Sequence, residues 1–242
     1  MLVKRAMSKN VVSVSVPGNR EKVLDLMRKE DKAVLPVVKG DTKQLVGLIT
    51  RSDLIVNPDE EQIAILMSTD LVTASPDDDV KDVAKKMIDN NVRRVPVVDD
   101  NGDLVGIITS FDLVSNALIK LESDDPVENF MITTVPTTWY KTPLNVAFET
   151  MKQFGLKSVL ALNDSAKLVG ILTETDFIEE SEIISERSEH SSTVGTEGDK
   201  WSWDSTSVLY IEKNCLKFTD KLVEDVGTHK VEVVNSKTKA SD

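Results

Sequence analysis

One ten-residue string occurs three times in this chain of 242 residues. It reads LVGLITRSDL at 45–54, LVGIITSFDL at 104–113 and LVGILTETDF at 168–177. Each copy has a glycine, two aliphatic residues and a threonine, with an aspartate three residues after the threonine. The copies lie about 60 residues apart, and a repeat of that length indicates one supersecondary unit used several times. The fold must therefore be built from three similar units that bury their apolar faces against one another.

The second repeat shows most clearly what such a unit contains. Residues 71–74 predict a short strand. Ser75 and Pro76 favour a helix start. The apolar residues that follow share one helical face: Val80, Val83, Ala84 and Met87. The Asn101-Gly102 pair then predicts a tight turn between two apolar strands. Each repeat is thus expected to run strand, helix, strand, strand, helix.

These patterns divide the chain into three units and a C-terminal region. We expect the units at 1–60, 61–122 and 123–180. Residues 181–200 are rich in serine and glutamate and predict an acidic linker, with a solvated helix over 178–189 as the alternative. Residues 201–242 predict a β-hairpin, with strands at 208–211 and 215–218. The start of a truncated fourth unit follows, its first strand within 222–234. The alternative for this end is a plain hairpin that caps unit 3.

The motifs of these units resemble those of a known family. LPVV at 35–38, RRVPVVD at 93–99 and the three Thr-x-x-Asp motifs together resemble the CBS domain. The resemblance implies an α/β (α+β) fold of tandem β-α-β-β-α units that pair into a Bateman module. It also implies clefts for adenosine-containing ligands such as AMP, ADP, ATP or S-adenosylmethionine. Members with four units resemble the γ subunit of AMP-activated protein kinase. Leu160 replaces the strand proline in repeat three, so a weaker ligand site is expected there.

The Thr-x-x-Asp motif has a chemistry that can be considered without the family. Thr109 should end a strand where a helix begins, and free N–H groups at a helix start suit a phosphate. Its hydroxyl can donate to the same phosphate, and Asp112 can accept hydrogen bonds from two ribose hydroxyls. Ser13, Thr73 and Thr138 on the first strands are expected to touch the base edge. The alternative is purely structural, because threonine and an acid at this spacing form a capping box.

Basic residues make the three repeats unequal. Arg51 lies inside the first motif, where the other repeats have Ser110 and Glu174. Arg93 and Arg94 precede the second Pro-Val-Val strand, so a local anion site between units 1 and 2 is predicted. The alternative is solvated surface arginines. Glu174 should repel a phosphate. The candidate nucleotide-binding residues are Ser13, Thr50, Arg51, Asp53, Thr73, Arg93, Arg94, Thr109, Ser110, Asp112, Thr173 and Asp176.

Composition limits the remaining function classes. A net charge of −12 argues against nucleic acid, and no apolar run is long enough to span a membrane. One cysteine fits a reducing cytoplasm, and two histidines with one cysteine cannot supply four nitrogen or sulfur ligands to zinc. No catalytic motif is recognisable, so we expect a non-enzymatic regulator, with an adenine nucleotide as its ligand and no required cofactor.

The expected partners follow from the repeats. A single repeat cannot bury its sheet face alone, so a homodimer formed through the repeat units is expected, together with an unidentified downstream protein. The alternatives are a ligand-free scaffold for protein association and an enzyme or nucleic-acid regulator.

Overall fold

The computed structural model describes residues 1–115, 124–193 and 206–240. Within these ranges, side chains are described for all residues except 186–193 and 206–215. Unit 1 contains β1 (Val14–Val16), α1 (Arg20–Lys29), β2 (Val34–Lys39), β3 (Leu45–Thr50) and α2 (Arg51–Val56). Unit 2 contains α3 (Ile63–Leu66), α4 (Val80–Asp89), β4 (Arg94–Val98), β5 (Leu104–Thr109) and α5 (Ser110–Leu113). Unit 3 contains β6 (Thr137–Trp139), α6 (Leu144–Gln153), β7 (Ser158–Leu162), β8 (Leu168–Thr173) and α7 (Glu174–Glu179). The long strands β9 (Ser181–Thr193) and β10 (Thr206–Phe218) precede α8 (Val223–Val226).

The sheets follow the predicted strand order. In units 1 and 3 the first strand pairs in parallel with the second, which pairs antiparallel with the third. Unit 2 has the same antiparallel pair, but its expected strand at 71–74 is reduced to one parallel bridge between Ala74 and Val97. All three antiparallel pairs shift register at the matching position, as at Val37/Val38. The fold class predicted from the repeats is confirmed.

The long helix of each unit buries the apolar face that its sequence predicts. In α4, the Asp79 side chain accepts a hydrogen bond from the Lys81 amide and caps the helix, and Val80, Val83 and Met87 are buried. An aspartate at this position also favours the helix dipole. In α1, Asn19 plays the same capping role. The Thr-x-x-Asp motifs begin at the last residues of β3, β5 and β8, namely Thr50, Thr109 and Thr173.

Units 1 and 2 pair by exchanging their opening segments. Ser8 of unit 1 bridges Ile107 of unit 2, and Ser68 of unit 2 bridges Leu48 of unit 1. The motif glycines make this approach possible. A Cβ on Gly47 would lie 2.5 Å from the Met67 sulfur, with the equivalent clash at Gly106. The glycine of the repeated string thus serves the contact between units.

The C-terminal segment pairs with unit 3 as unit 2 pairs with unit 1. Bridges join Pro143 to Leu222, Ile171 to Thr228 and Pro126 to Lys239. They match the bridges of Asn19 to Gln62, Leu48 to Ser68 and Leu2 to Asp79 between units 1 and 2. Residues 222–234 form α8 and two isolated bridges, at Leu222 and Thr228, instead of the strand expected there. α8 matches α3, the short helix that opens unit 2. The backbone of residues 223–226 is therefore helical where a strand was expected.

The linker predicted at 181–200 is wrong for Ser181–Thr193. These residues form β9, which pairs antiparallel with all thirteen residues of β10. The alternative helix over 178–189 is wrong for the same reason. The strands expected at 208–211 and 215–218 are one continuous strand. A serine- and glutamate-rich segment has no apolar periodicity, and its partner strand supplies the backbone hydrogen bonds. Residues 194–205, which complete the predicted linker and begin the hairpin region, lie outside the described residues.

Two apolar clusters form the core of the described residues. One contains apolar residues of unit 2 together with Val3 and Ala6 from the start of unit 1. The other joins unit 1 to unit 3, includes Ile63 and Leu66 from the start of unit 2, and reaches Leu216 of β10. Phe148, Phe177 and Phe218 pack together, with ring centroids 4.5 to 5.5 Å apart. Unit 3 therefore docks on unit 1 through α7, α2 and α1. None of the helices in the described part of the chain combines the length and the apolar character needed to cross a membrane.

Candidate functional site

All three Thr-x-x-Asp motifs form the same closed hydrogen-bond arrangement. In unit 2, one Asp112 oxygen accepts from the Thr109 amide at 2.8 Å and from the Thr109 hydroxyl at 2.6 Å. The other two pairs are Thr50 with Asp53 and Thr173 with Asp176. This is the capping box that the structural alternative predicts. The threonine proton is donated to the aspartate, so it is not directed at a phosphate while the box is closed.

A cleft of about 320 Å³ lies between units 1 and 2, next to the second motif. Thr109 and Asp112 line it from unit 2, together with Arg94 at the start of β4. Arg51 lines it from unit 1. The cleft is completed by Ser8, Asn10, Val11, Val12, Asp31, Lys32, Ala33, Val34, Pro36 and Ile107. Charged groups and an apolar wall thus share one concave surface, which is the usual composition of a small-molecule site.

Arg51 is a buried part of this cleft, with only 8% of its surface exposed. One terminal nitrogen is 3.2 Å from an oxygen of Asp31, and the other donates to the Thr175 hydroxyl of unit 3. Its Nε is buried and has no hydrogen-bond partner among the described residues. Arg51 therefore holds units 1 and 3 together, in addition to placing positive charge beside the cleft.

Arg94 is the more accessible cation. Its side chain is exposed to solvent where β4 begins. Partial desolvation lowers the pKa of Arg94, the positive charges of Arg51 and Arg93 lower it further, and Glu174 opposes the shift. Arginine still remains charged at neutral pH. Within the described ranges, neither Arg93 nor Arg94 forms an ion pair, so both guanidinium groups can receive an anion.

The middle residues of the first and third motifs contact each other. The Ser52 hydroxyl donates to Glu174 Oε1 at 2.5 Å, and Arg51 donates to Thr175. We call this pair of contacts the clasp. Arg51 was predicted to bind a phosphate and Glu174 to repel one. In the structure both residues take part in contacts between units 1 and 3, a role that the sequence does not indicate.

The structure brings four of the predicted site residues into the cleft, namely Arg51, Arg94, Thr109 and Asp112. Thr50 and Asp53 form the box of unit 1, and Thr173 and Asp176 that of unit 3. The other predicted residues lie outside the cleft lining. These are Ser13 just before β1, Thr73, whose carbonyl accepts from Lys86, Arg93, and Ser110, whose amide donates to the Arg93 carbonyl.

The residue predicted in unit 3 as the equivalent of Ser13, Thr138, is one residue too far along the chain. Val14 pairs with Val37, and in unit 3 Thr138 pairs with Ala161. Ala161 matches Val37 in the sheet register, because each faces its motif glycine, Gly170 or Gly47. Thr137, not Thr138, is therefore the counterpart of Ser13.

Sequence reasoning found Arg51 and missed the rest of the unit 1 side of the cleft. Residues 10–12 precede β1, and residues 31–34 lead into β2. Asp31 has φ of 44°, a left-handed conformation that ends α1 and turns the chain towards the cleft. Residues 31–34 could have been identified from the sequence, because they align in the repeat with the residues around Arg93 and Arg94. No group of three or more potential metal ligands occurs among the residues described.

Three similar units and a cleft between the first two of them define the architecture of this protein. The CBS domain model matches residues 3–58, 61–118 and 127–182. The chain belongs to the CBS domain family, and its units pair as a Bateman module.

Individual relatives extend this finding. Protein MJ1225 from Methanocaldococcus jannaschii is 23% identical over 197 residues, which cover 73% of this chain and 70% of that protein. Its crystal structure, proposed to be that of an archaeal homologue of γ-AMPK, superposes with a TM-score of 0.77 at 19% identity. The match covers 100% of this chain and 87% of MJ1225. At that identity the likeness shows the fold alone.

Other relatives share only part of their length with this chain. Protein MK0525 from Methanopyrus kandleri is 36% identical over 85 residues, 32% of this chain and 43% of its own. Inosine-5'-monophosphate dehydrogenase from Nitrosopumilus maritimus is 35% identical over 120 residues, 47% of this chain and 24% of the enzyme. The chain thus spans less than half of several relatives that it matches.

Proposed function

We propose that this protein is a non-catalytic regulator that binds an adenine nucleotide in the cleft between units 1 and 2. The observation that carries the proposal is the presence of Asp112 and Arg94 on one concave surface with an apolar wall. A nucleotide needs these three elements, namely an acceptor for ribose hydroxyls, a cation for phosphate and an apolar slot for the base. We propose a cytoplasmic location, which suits a chain with one cysteine.

Each element has a definite role in this proposal. The capping box fixes the position of the Asp112 carboxylate at the edge of the cleft. In the proposed complex this carboxylate accepts hydrogen bonds from the ribose hydroxyls. Val12 and Val34 flank the base, while Arg94 binds the phosphate.

Calorimetric titration with AMP tests the site, and the chain supplies its own matched control. Asp112→Ala and Asp53→Ala remove the same capping contact, but only Asp112 lines the cleft. We expect Asp112→Ala to weaken AMP binding about tenfold or more, since two hydrogen bonds to a charged group are lost. Asp53→Ala should bind AMP within about twofold of the wild type, because its loss is confined to a helix cap. Equal affinities in all three proteins would reassign Asp112 to capping alone.

The regulatory output is proposed to be a change in how the units pack. A ligand can shift such an equilibrium only through different affinities for two arrangements. Arg51 joins the cleft to unit 3 through the clasp, so nucleotide binding and the contact between units 1 and 3 share one side chain. A downstream protein would sense that contact.

A second candidate function is protein association, and exposed apolar residues favour it. In unit 1, Ala6 is buried and Met7 lies against Gly106 of unit 2. The matching residues of unit 3 are Phe130 and Met131, and they are exposed, as is the neighbouring Ile132 at 79%. Exposed apolar clusters of this kind mark interaction sites. We propose a homodimer that covers this surface.

Light scattering tests the association. The wild-type protein should have the mass of a dimer, and Phe130→Ser with Ile132→Ser should shift it to a monomer. A control variant, Phe154→Ser, removes an exposed phenylalanine from the end of α6 and should remain dimeric. A wild-type monomer at high concentration would contradict the dimer.

A further inference from the structure

Unit 3 brings a fixed negative charge to the arginines of the cleft between units 1 and 2. Glu174 is the first residue of α7, and its carboxylate accepts the Ser52 hydroxyl at 2.5 Å. Ser52 is the residue next to Arg51, which lines the cleft. The position of Glu174 is thus set by a hydrogen bond across the contact between units 1 and 3.

The neighbouring residue strengthens this placement. Thr175 accepts a hydrogen bond from Arg51, so two consecutive residues of unit 3 are held by two consecutive residues of unit 1. Arg51 is almost fully buried and cannot swing away without breaking both this bond and its ion pair with Asp31. The clasp therefore holds Glu174 in place when the cleft is empty.

Glu174 acts on the cleft by its charge, without occupying it. It is absent from the cleft lining, yet its negative charge opposes the lowering of the Arg94 pKa by burial and by the charges of Arg51 and Arg93. Asp31 and Asp112 add two more negative charges at the cleft wall. The positive potential that a phosphate meets is therefore smaller than Arg51, Arg94 and Lys32 of the cleft lining would give alone.

We propose that Glu174 is a counter-charge supplied by unit 3, which sets how strongly the cleft between units 1 and 2 binds the phosphate of its ligand. This rests on the proposed nucleotide site and adds the regulation of that site. The Glu174 carboxylate, held beside Arg51 by Ser52, reduces the attraction that the cleft exerts on an incoming phosphate. Any movement that separates unit 3 from unit 1 then removes this negative charge and strengthens phosphate binding. Conversely, a bound phosphate favours that separation, since coupling between two events is reciprocal.

The test compares Glu174→Gln with the wild type in the full chain, with AMP and adenosine as probes. Glutamine keeps the acceptor oxygen for Ser52 and removes only the charge. AMP affinity should rise roughly two- to fivefold at low salt, the effect of one partly exposed charge interaction, and the gain should shrink at high salt. Adenosine affinity should not change, because adenosine carries no phosphate. Glu149→Gln, which removes an exposed charge on α6 away from the cleft, should leave both affinities unchanged.

Each other outcome has a distinct meaning. Equal AMP affinity in Glu174→Gln and the wild type would overturn the counter-charge and leave the nucleotide site standing. An equal gain for adenosine would also overturn it, because the effect would then be steric. Failure of the wild type to bind either probe would overturn the proposed function itself, and the counter-charge with it.

Discussion

The Thr-x-x-Asp loops of units 2 and 3 share one hydrogen-bond pattern and differ in everything around it. Asp112 is half-buried and lines an open cleft, whereas Asp176 is only 8% exposed and lies in the contact with unit 1. The residue before the aspartate is Phe111, 76% exposed, in unit 2 and Thr175, which binds Arg51, in unit 3. The motif therefore determines a local helix cap, and its neighbours decide whether the cap also lines a cleft.

The largest expected difference concerns the phenylalanines at the two loops. Phe177→Ala removes a fully buried ring that packs on Phe148 and Phe218, and should lower the free energy of unfolding by about 3–5 kcal/mol. The comparison variant Phe111→Ala removes an exposed ring two residues earlier in the motif of unit 2, and should change the free energy of unfolding by less than about 0.5 kcal/mol. Urea unfolding measures both. Similar losses would mean that the two loops are equally buried.

The aspartates should show a smaller contrast in stability. Asp176→Ala leaves the amide of Thr173 without its acceptor in a buried setting, and should cost about 1–3 kcal/mol. Asp112→Ala loses the same bond where water can replace it, and should cost about 0.5–1 kcal/mol. Thermal unfolding monitored by circular dichroism gives this order. A larger loss in Asp112→Ala would reverse the assignment of structural and binding roles.

The smallest expected effect is a pH dependence of stability that arises near the start of α4 in unit 2 and not at the start of α6 in unit 3. A hydrogen bond from the Ser75 amide lowers the pKa of Asp78, partial burial opposes this, and Lys86 lowers it further. Because the folded pKa lies below the unfolded value, this carboxylate stabilises the fold above about pH 4 and loses that contribution as pH falls through the folded pKa. α6 of unit 3 begins after Pro143 with no side-chain cap.

Asp78→Asn should therefore be slightly less stable than the wild type at pH 7. The difference should disappear once pH falls below the folded pKa of Asp78, where both proteins are uncharged at this position. Urea unfolding of the two proteins across this range provides the measurement. A difference that persists at the lowest pH would show that Asp78 acts by packing, not by charge.

The sequence predicts what depends on local pattern and spacing. The repeat, the helices with their apolar faces and the strand pairs are recognisable because each is encoded within a few residues. Arg94, Thr109 and Asp112 were also predicted, and they share a cleft because Arg94 pairs with Thr109 across β4 and β5 and Asp112 follows Thr109 by three residues. The proposed assignment of that cleft to a nucleotide follows from the same residues.

Other features depend on contacts between distant segments. The clasp joins residues more than 120 positions apart, and no periodicity relates Ser52 to Glu174. The β9–β10 hairpin is held by backbone pairing along a segment whose side chains are typical of a linker. The sequence also does not show why the motif glycines are needed, because the residues that pack against them come from the neighbouring unit.

The most direct test of this account is a crystal structure of the full chain with AMP. We expect one nucleotide between units 1 and 2, with its ribose hydroxyls at Asp112 and its phosphate directed towards Arg94. The Asp176 loop should keep its capping box and contact no ligand. AMP bound at Asp176, or bound to the chain with neither Asp112 nor Arg94 in contact, would contradict the account.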